Sequence, residues 1–504
     1  MVSPIHKVLQ INRADNVAVA LVELSVGETV SVNGVQVAVS EKVPVGHKVA
    51  LNDIPANQAI RKYGFTIGHA TQAIQAGQWV HSHNAATSLK GKLEYSYQPS
   101  IRPVEVPATV PTFLGYRRAD GQFGIRNEIW IINTVGCINK QSQRLTRLAE
   151  EKFQAELQAG VIDGIYTLEH PYGCSQLGED LLNTQKLLAG LTRHPNAAGV
   201  LLVGLGCENN QMADFHQILG AVDSRRVKSL VLQDVADEFE VGLELLGELI
   251  AHAATFKQEP VPVSELKIGL KCGGSDGFSG ITGNPLVGSV ADRLISFGGT
   301  AILTEVPEMF GAEQILMNRA KDQATFEKVV ALVNDFKDYF IRNGQEVYEN
   351  PSPGNKDGGI TTLEDKSLGC TQKGGTSTVT DVLRYGEQSK VHGLNLLEGP
   401  GNDIVSCTAL TAAGAHIILF TTGRGNPMGA MVPTVKVSTN SNLATRKPNW
   451  IDFNAGQLLE GKTMDQLTTD FFDHLVAIAS KTELTKNELN GYRDIAIFKS
   501  GVTL

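Results

Sequence analysis

The sequence predicts an α/β protein in which a small β-rich module precedes larger domains built on mainly parallel sheets. From about residue 113 onward, short apolar runs alternate with helical stretches: IWIINTV is followed by QSQRLTRLAEEKFQAELQ, and GVLLVGLG by MADFHQILGAV. This alternation is typical of βαβ units and therefore of parallel strands. Before about residue 97, short apolar runs are broken by glycines, a pattern typical of an all-β module.

The N-terminal module, predicted over residues 1–97, carries a hairpin signal. The run VSVNGVQV alternates apolar and polar residues around Asn33 and Gly34. An Asn-Gly pair favours a two-residue type I′ turn because both central positions need a positive φ. We therefore predict two antiparallel strands that meet at this pair.

Proline spacing marks the end of the module. In QPSIRPVEVPATVPT a proline occurs at every fourth position, which favours an extended, semi-rigid segment without a core of its own. We predict a Pro-rich linker over 98–112, a second α/β domain over 113–258 and a C-terminal α/β domain over 259–504. The second boundary lies near the stretch KQEPVPVSEL.

The connection 345–378 in the C-terminal domain is long and rich in glycine, and it contains Cys370 and Lys373. Long connections are uncommon inside compact domains and are usually functional. We predict a loop that contributes to a site; an unstructured insertion is the alternative.

Composition excludes several classes of partner. The 504 residues carry a formal net charge of −9 and no Lys/Arg cluster, so we expect no nucleic-acid partner. The apolar runs are too short to cross a bilayer and the N-terminus lacks an apolar signal region, so we expect no membrane association. Six scattered cysteines without a CxxC pair argue for a reducing compartment, and we expect a cytoplasmic protein.

Five of the six cysteines lie next to a glycine, and most of them follow a run that resembles a strand. A strand followed by a tight glycine turn places a thiol at the carboxyl edge of a sheet, where α/β proteins carry their chemistry. For any one of them the alternative is a small buried apolar residue. The five are Cys137, Cys174, Cys207, Cys272 and Cys370.

His81 and His83 follow the apolar pair Trp79-Val80, which predicts the end of a strand. Residues two apart on a strand point to the same face. Two imidazoles on one face would form a bidentate clamp for Fe, Mn or Zn, so the pair is a candidate metal site. A pair of solvated or core histidines is the alternative.

Polar residues gather at the predicted carboxyl ends of four strands in the C-terminal domain. Ligands of open parallel sheets bind in the crevice at this edge. Carboxylates and a thiol there suit a metal ion, and the cations could hold a substrate carboxylate, arginine as a bidentate fork. The set comprises Lys271 and Cys272, Glu305 and Glu308, Asn402 and Asp403, and Arg424.

Dinucleotide binding is the competing function for a βαβ sheet. VGLGCENN and EGPGNDIVS each offer two glycines without the third that opens the helix. No complete G-x-G-x-x-G, Walker A or G-x-S-x-G motif occurs in the sequence, which argues against a nicotinamide cofactor.

Several long strings resemble the altronate/galactarate dehydratase family. They include FLGYRRADGQFGIRNEIWIINTVGCIN, EHPYGCSQLGED, KCGGSDGFSGITGNPLVG and GPGNDIVSCTALTAAGAHIILFTTGRGNP, and the similarity runs over nearly the whole chain. RKYGFTIGHATQAIQAGQWVHSHN is similar to the end of the family's small β-clip, or SAF-type, domain. HSHN followed by YSYQP looks closer to the altronate branch than to the galactarate branch.

The resemblance implies a hydro-lyase of hexuronate breakdown that converts D-altronate to 2-dehydro-3-deoxy-D-gluconate. It implies dependence on Fe²⁺, no nicotinamide, a Rossmann-like C-terminal sheet and a homodimer. We keep Mn²⁺ as an alternative metal.

Dehydration of a sugar acid removes the proton α to the carboxylate and expels the β-hydroxyl, so a cation must offset the charge that develops on the carboxylate. We predict a metal held by His81, His83, Glu305 and Cys370 across a domain interface. Lys373 is the predicted base, on the reasoning that burial lowers its pKa, and Glu308 is its catalytic partner. Arg424, Lys271 and Asn402 are predicted to bind substrate.

Three alternatives remain open from the sequence. One is activity on galactarate or another sugar acid, since epimers differ only in hydroxyl positions. Another is an iron–sulfur hydro-lyase in which three strand-end cysteines hold a cluster. A sugar-acid-binding protein without catalytic activity is the third.

Overall fold

A computed structural model of the chain describes residues 6–103 and 105–503. The N-terminal module consists of three small antiparallel sheets, ordered β1-β2-β5-β8, β3-β4 and β6-β7-β9. Asn33 and Gly34 have φ values of 49° and 85° and join β3 to β4, which confirms the predicted hairpin. The strands are β1 (Val8–Leu9), β2 (Val17–Ala20), β3 (Thr29–Val32), β4 (Val35–Ala38), β5 (Lys48–Ala50), β6 (Ala59–Lys62), β7 (Phe65–Ala70), β8 (Trp79–Val80) and β9 (Ala85–Ala86).

The segment after the module is extended and anchored on the C-terminal domain. The Tyr95 hydroxyl donates to Glu313 Oε1 (2.6 Å), the Tyr97 hydroxyl donates to the Ala320 carbonyl (2.6 Å), and Ser100 N donates to the Asn318 carbonyl (2.7 Å). These hydrogen bonds attach residues 95–100, at the start of the predicted linker, to the C-terminal domain. The N-terminal module is therefore not connected by a free linker.

The next part of the chain forms a four-stranded parallel sheet ordered β13-β12-β14-β15. An antiparallel pair, β10 with β16, joins its first and last segments. Apolar residues on one face of the sheet pack against α1 and α5, and those on the other face against α3 and α4. The elements are β10 (Thr112–Arg117), β11 (Phe123–Gly124), β12 (Glu128–Asn133), α1 (Asn139–Lys152), α2 (Gln154–Gln158), β13 (Ile165–Leu168), α3 (Gly178–Thr192), β14 (Ala197–Gly204), α4 (Met212–Leu219), β15 (Val227–Val231), α5 (Glu238–Ala253) and β16 (Gln258–Pro262).

The C-terminal domain is built on a seven-stranded, fully parallel sheet ordered β19-β20-β18-β17-β21-β22-β23. Its strands are β17 (Lys267–Cys272), β18 (Thr300–Leu303), β19 (Val379–Leu383), β20 (Gly393–Leu397), β21 (Ile417–Thr422), β22 (Thr434–Ser438) and β23 (Phe453–Asn454). Its helices are α6 (Gly283–Ser296), α7 (Glu313–Met317), α8 (Gln323–Arg342), α9 (Pro353–Asp357), α10 (Leu363–Cys370), α11 (Asp403–Ala412), α12 (Ser441–Arg446), α13 (Met464–Ala479) and α14 (Lys486–Asn490).

Without the edge strand β19, the C-terminal sheet has the doubly wound order 3-2-1-4-5-6, with the reversal between β17 and β21. The mainly parallel, Rossmann-like α/β class predicted from the sequence is thus confirmed. Alternate residues of each strand face opposite layers: Leu419 packs with α6, α8 and α13, whereas Ile418 packs with α11. Helix α11 also packs on α3, so the two parallel sheets share one apolar core.

The connection 345–378 differs from the predicted loop, because it contains α9 and α10. Thr362 caps α10 by accepting from Asp365 N, and all eight residues of the helix are buried. Cys370 therefore ends a helix and does not follow a strand. The helix was missed because its buried side chains are mostly polar, so the sequence shows no apolar periodicity.

No helix in the described part of the chain is long and apolar enough to span a membrane.

Candidate functional site

A cavity of about 410 Å³ opens at the carboxyl edge of the C-terminal sheet, where the strand order reverses between β17 and β21. Open parallel sheets bind ligands at such a reversal because the loops on either side diverge and leave a crevice. The residues that line it are Cys272, Gly273, Gly274, Ser275, Glu308, Asn350, Ser352, Gly354, Asn355, Lys366, Gly401, Asp403 and Arg424.

Glu305 organises the buried floor of the site. It follows β18 in the left-handed conformation, with φ 70° and ψ 55°, so its carboxylate turns towards the end of β17. There it accepts from Lys271 Nζ, from Cys272 N (3.1 Å) and from Lys373 Nζ (2.6 Å). A carboxylate that contacts two ammonium groups fixes the relative positions of β17, β18 and the turn after α10.

Three donor groups converge beside this floor. Cys272 Sγ lies 3.4 Å from Cys370 Sγ, and both sulfurs contact Glu308 Oε2, at 3.3 Å and 3.0 Å. Within residues 6–103 and 105–503 this is the one group of three or more His, Cys, Asp or Glu side chains whose ligand atoms all lie within 4.8 Å of one another. All three residues are buried.

Lysines surround the donor trio of Cys272, Glu308 and Cys370. Lys366 Nζ contacts Glu308 Oε1 at 2.9 Å, and Lys373 Nζ lies 2.9 Å from Cys272 Sγ. Burial alone would raise the pKa of Glu308, but the charges of Lys366, Lys271 and Lys373 outweigh burial and hold it well below its ordinary value. Glu308 is therefore a carboxylate.

Lys373 does not have the lowered pKa expected from the sequence. Burial alone would lower it, but the close contacts with Cys272 and with the Glu305 carboxylate raise the pKa well above its ordinary value. Lys373 is an ammonium ion locked to Glu305, so its predicted role as a base loses its physical ground. The sequence argument considered burial and missed the paired carboxylate.

The donor trio fits a divalent cation. The hydrogen bond with Cys272, together with burial, raises the pKa of Cys370 well above its usual range, so this thiol is neutral when no metal ion is bound. Three ammonium groups face three carboxylates in the site, and two ionised thiols would add two negative charges, which a divalent ion balances. Thiolates with a carboxylate suit Fe²⁺ better than the harder Mn²⁺.

The open side of the cavity carries groups suited to a sugar acid. Arg424, Lys366 and Asp403 line it together with the amides of Asn350 and Asn355. Asp403 contacts Lys271 Nζ at 3.0 Å, and its side chain keeps 30% exposure. This combination offers cations for a carboxylate and hydrogen-bonding groups for hydroxyls.

Asn402 lies next to the cavity but is occupied as a helix cap. Its side-chain oxygen accepts from Val405 N (3.2 Å) at the start of α11. Asn402 therefore positions α11 and Asp403, which is a different role from the predicted contact with substrate.

His81 and His83 are not among the residues that form the donor trio. Strand β8 ends at Val80, and His81 begins a tight turn in which its carbonyl accepts from Asn84 N and Ala85 N. The rule that residues two apart share a face therefore does not apply. Both rings pack on Trp79, at 5.1 Å and 5.0 Å, and His81 is buried whereas His83 is exposed.

The structure thus brings together Lys271, Glu305, Glu308, Cys370 and Lys373, with Arg424 at the mouth of the cavity. The predicted metal set of His81, His83, Glu305 and Cys370 is not assembled as one group. Cys272 was named among the strand-end groups suited to a metal but left out of the predicted ligand set; it belongs to the donor trio. Lys366 was missed. The signal for Lys366 was its spacing of four from Cys370, which places both on one face of α10.

Three family models match the chain. The altronate/galactarate dehydratase SAF domain matches residues 6–88, the second domain of D-galactarate dehydratase/altronate hydrolase matches 115–254, and the C-terminal domain of D-galactarate/altronate dehydratase matches 263–503.

Curated relatives match over nearly the full length. The altronate dehydratase of Escherichia coli K12 is 53% identical over 98% of this chain and 99% of its own length. The altronate dehydratase of Bacillus subtilis 168 is 52% identical over the same shares. The galactarate dehydratase (L-threo-forming) of E. coli K12 is 31% identical over 91% of this chain and 90% of its own.

Proposed function

This chain belongs to the D-galactarate/altronate dehydratase family, and from that premise we propose that it is a hydro-lyase that converts D-altronate to 2-dehydro-3-deoxy-D-gluconate and water in hexuronate catabolism. Identities of 52–53% over 98% of the chain to two altronate dehydratases support this substrate. The structural observation that carries the proposal is the donor trio at the floor of a cavity lined with cations.

The reaction removes the proton on the carbon next to the carboxylate and the hydroxyl on the following carbon. The electron pair left by the proton forms the new double bond, and the hydroxyl departs as water after taking up a proton. The resulting enol takes a proton at the third carbon and becomes the 2-keto acid. The protein must therefore supply a base, an acid and a counter-charge for the carboxylate.

We assign the grip on the substrate carboxylate to Arg424 and Lys366. Both line the cavity, and a guanidinium can bind a carboxylate with two parallel hydrogen bonds. The negative charge of Glu308 outweighs burial and raises the pKa of Lys366. Lys366 is thus a fixed positive charge that can hold the substrate carboxylate.

We assign removal of the α-proton to Asp403. Two carboxylates line the cavity in the described part of the chain, and Glu308 belongs to the donor trio. Asp403 keeps partial exposure, and Lys271 Nζ (3.0 Å) and Asn426 Nδ2 (2.6 Å) fix the direction of its carboxylate. Lys373, whose ammonium holds Glu305 and Cys272, is a positioning residue in this scheme.

Cys272, Glu308 and Cys370 would hold the metal, which we propose to be Fe²⁺. When bound there, the ion supplies Lewis-acid stabilisation of negative charge on the substrate. We also propose that the protein is a cytoplasmic homodimer without a nucleic-acid partner, and that Mn²⁺ is the alternative metal.

The test is a panel of aldonates and aldarates given to anaerobically iron-loaded protein, with 2-keto-3-deoxy acid formation as the readout. We expect the highest kcat/KM with D-altronate. A higher kcat/KM with galactarate would show that the protein is a galactarate dehydratase. If no substrate gave a keto acid, the proposed hydro-lyase activity would be refuted. Asp403→Asn should lower kcat by about 10²–10⁴-fold with little change in KM.

A further inference from the structure

The second parallel sheet carries a group of cysteines that the catalytic proposal does not use. Its strands β13, β12 and β14 are neighbours, and each is followed by a Gly-Cys dipeptide that ends in Cys174, Cys137 or Cys207. The strand order 2-1-3-4 reverses between β12 and β14, so the three dipeptides lie at this sheet's own ligand-binding edge.

Hydrogen bonds lock the three loops to one another. Gly136 N donates to the Tyr172 carbonyl (2.7 Å), which ties the Cys137 loop to the Cys174 loop. Asn210 N donates to the Gly173 carbonyl (3.0 Å), which ties the Cys207 loop to the Cys174 loop. Ser175 N donates to Asn209 Oδ1 (2.7 Å) and closes the same junction. The positions of the three cysteines are therefore set jointly.

The glycines before the first two cysteines are needed for this close contact. A Cβ on Gly136 would lie 2.5 Å from the His170 carbonyl oxygen, and one on Gly173 would lie 2.0 Å from the Thr134 carbonyl oxygen. Gly173 and Gly206 also have φ values of 98° and 126°, which other residues rarely adopt. Side chains at these positions would push the loops apart.

A buried carboxylate supports the Cys207 turn. Glu208 is 3% exposed, and it accepts from Leu205 N (3.0 Å), Gly206 N (2.6 Å) and Thr134 Oγ1 (2.7 Å). The thiols themselves are exposed and free, unlike the buried Cys272, Cys370 and Cys407. Buried cysteines usually act as small apolar core residues, whereas these three exposed thiols are held on hydrogen-bonded loops and are accessible to a ligand.

We infer that Cys137, Cys174 and Cys207 ligate an iron–sulfur cluster of the [4Fe–4S] type. Each thiol loses its proton and binds a different iron, which leaves the fourth iron for a solvent or external ligand. A single tetrahedral ion fits less well, because within the described residues the three sulfurs do not all lie within 4.8 Å of one another. The site is separate from the donor trio, which lies on the other sheet.

Anaerobic reconstitution of the full-length protein with Fe³⁺, sulfide and excess dithiothreitol, which reduces part of the iron, tests the inference. We expect about four iron and four sulfide per chain and a broad absorbance near about 400 nm. Cys137→Ser, Cys174→Ser and Cys207→Ser should each lower the absorbance and bound sulfide at least about tenfold. Cys407→Ala, a change at a buried cysteine of α11, is the matched control and should keep both.

The measured quantities are absorbance and bound sulfide, so the result does not depend on catalytic activity. Iron bound without sulfide, or a chromophore that survives in all three serine variants, would overturn the inference. So would a chromophore lost in Cys272→Ser but kept in the three loop variants. Unchanged far-UV circular dichroism of the serine variants shows that a lost cluster is not a lost fold.

Discussion

Cys272 Sγ and Cys370 Sγ lie 3.4 Å apart, although 98 positions separate the two residues in the chain. One ends the central strand β17 and the other ends helix α10, so the pair forms only when this helix packs over the edge of the sheet. Glu308, from the turn after β18, completes the group. The donor trio is thus a product of tertiary packing of three separate segments.

Replacing either sulfur with oxygen should weaken metal binding. We expect Cys272→Ser and Cys370→Ser to lower Fe²⁺ affinity at least about tenfold and kcat about 10²-fold or more, because a serine hydroxyl is a poorer ligand than a thiolate. Metal content after anaerobic loading and dialysis is the measurement. Cys407→Ala is the control, and full metal content in both serine variants would exclude the trio as the site.

Removing the charge of Glu305 should destabilise the protein. Glu305→Gln leaves Lys271 and Lys373 buried with one negative partner fewer, which should lower the free energy of unfolding by about 3–5 kcal/mol. The exposed pair Arg117–Glu259 gives the matched control, since Glu259→Gln should change it by less than about 1 kcal/mol. Urea unfolding measures both; equal small changes would show that the buried network is not a stabilising unit.

The strand-end rule explains why several of the residues singled out in the sequence lie close together. Lys271 and Cys272 end one strand of the parallel sheet, and Glu305, Glu308 and Asp403 follow two others. Such strand ends meet at the same edge whatever the length of the connections between them. No comparable rule predicts which segments outside the strands will pack against that edge. The contribution of α10 depends on where the helix packs, and that placement has no local signature.

Two predictions from the sequence, the loop over 345–378 and the strand at His81 and His83, differ from the structure because of local backbone geometry. Thr362 followed three residues later by Asp365 is a helix-start signal, but the polar composition of the stretch masked it. His81 and His83 were treated as strand residues, whereas the chain turns at His81. The sequence also could not predict the ion pair of Lys373, because it does not show that Glu305 lies 2.6 Å from the Lys373 Nζ.

Asp365 should control docking of the N-terminal module. It accepts from Lys48 Nζ (2.9 Å) and Lys62 Nζ (3.0 Å), and all three side chains are buried. Asp365→Asn leaves two buried ammonium groups without a counter-ion, so the module should loosen from α10. We expect faster proteolysis within 98–112 and reduced turnover, since Lys366 is the next residue of the helix.

The control for that experiment is Glu364→Gln on the same helix. Glu364 accepts from Thr87 Oγ1 and Ser88 N of the segment after β9, but it forms no ion pair with a lysine of the described residues. It should therefore have the smaller effect. Equal proteolysis of Asp365→Asn and the unaltered protein would contradict the docking role.

Stability should fall with acid in part through His81. Burial, with the positive charge of Lys48, lowers the pKa of His81 from 6.5 to about 3. The unfolded chain takes up a proton near pH 6.5 and the folded chain does not, so the stabilisation is complete above pH 6.5 and is lost as pH falls towards 3. The slope contributed by this group is at most about 1.4 kcal/mol per pH unit.

His81→Phe should flatten the dependence of the unfolding free energy on pH by about that amount between pH 6.5 and 4, whereas His83→Phe should not. Denaturant unfolding across this range checks both. A slope unchanged in His81→Phe would show that the ring is protonated in the folded protein.

In the proposed mechanism, a divalent cation at Cys272, Glu308 and Cys370 is required for water to leave the sugar acid. The most direct test of this requirement is turnover of D-altronate by rigorously demetallated protein under chelator, before and after Fe²⁺ is restored in excess. We expect keto-acid formation to fall by at least about 10³-fold in the demetallated protein and to recover with Fe²⁺. Full-speed dehydration by the demetallated protein would contradict it.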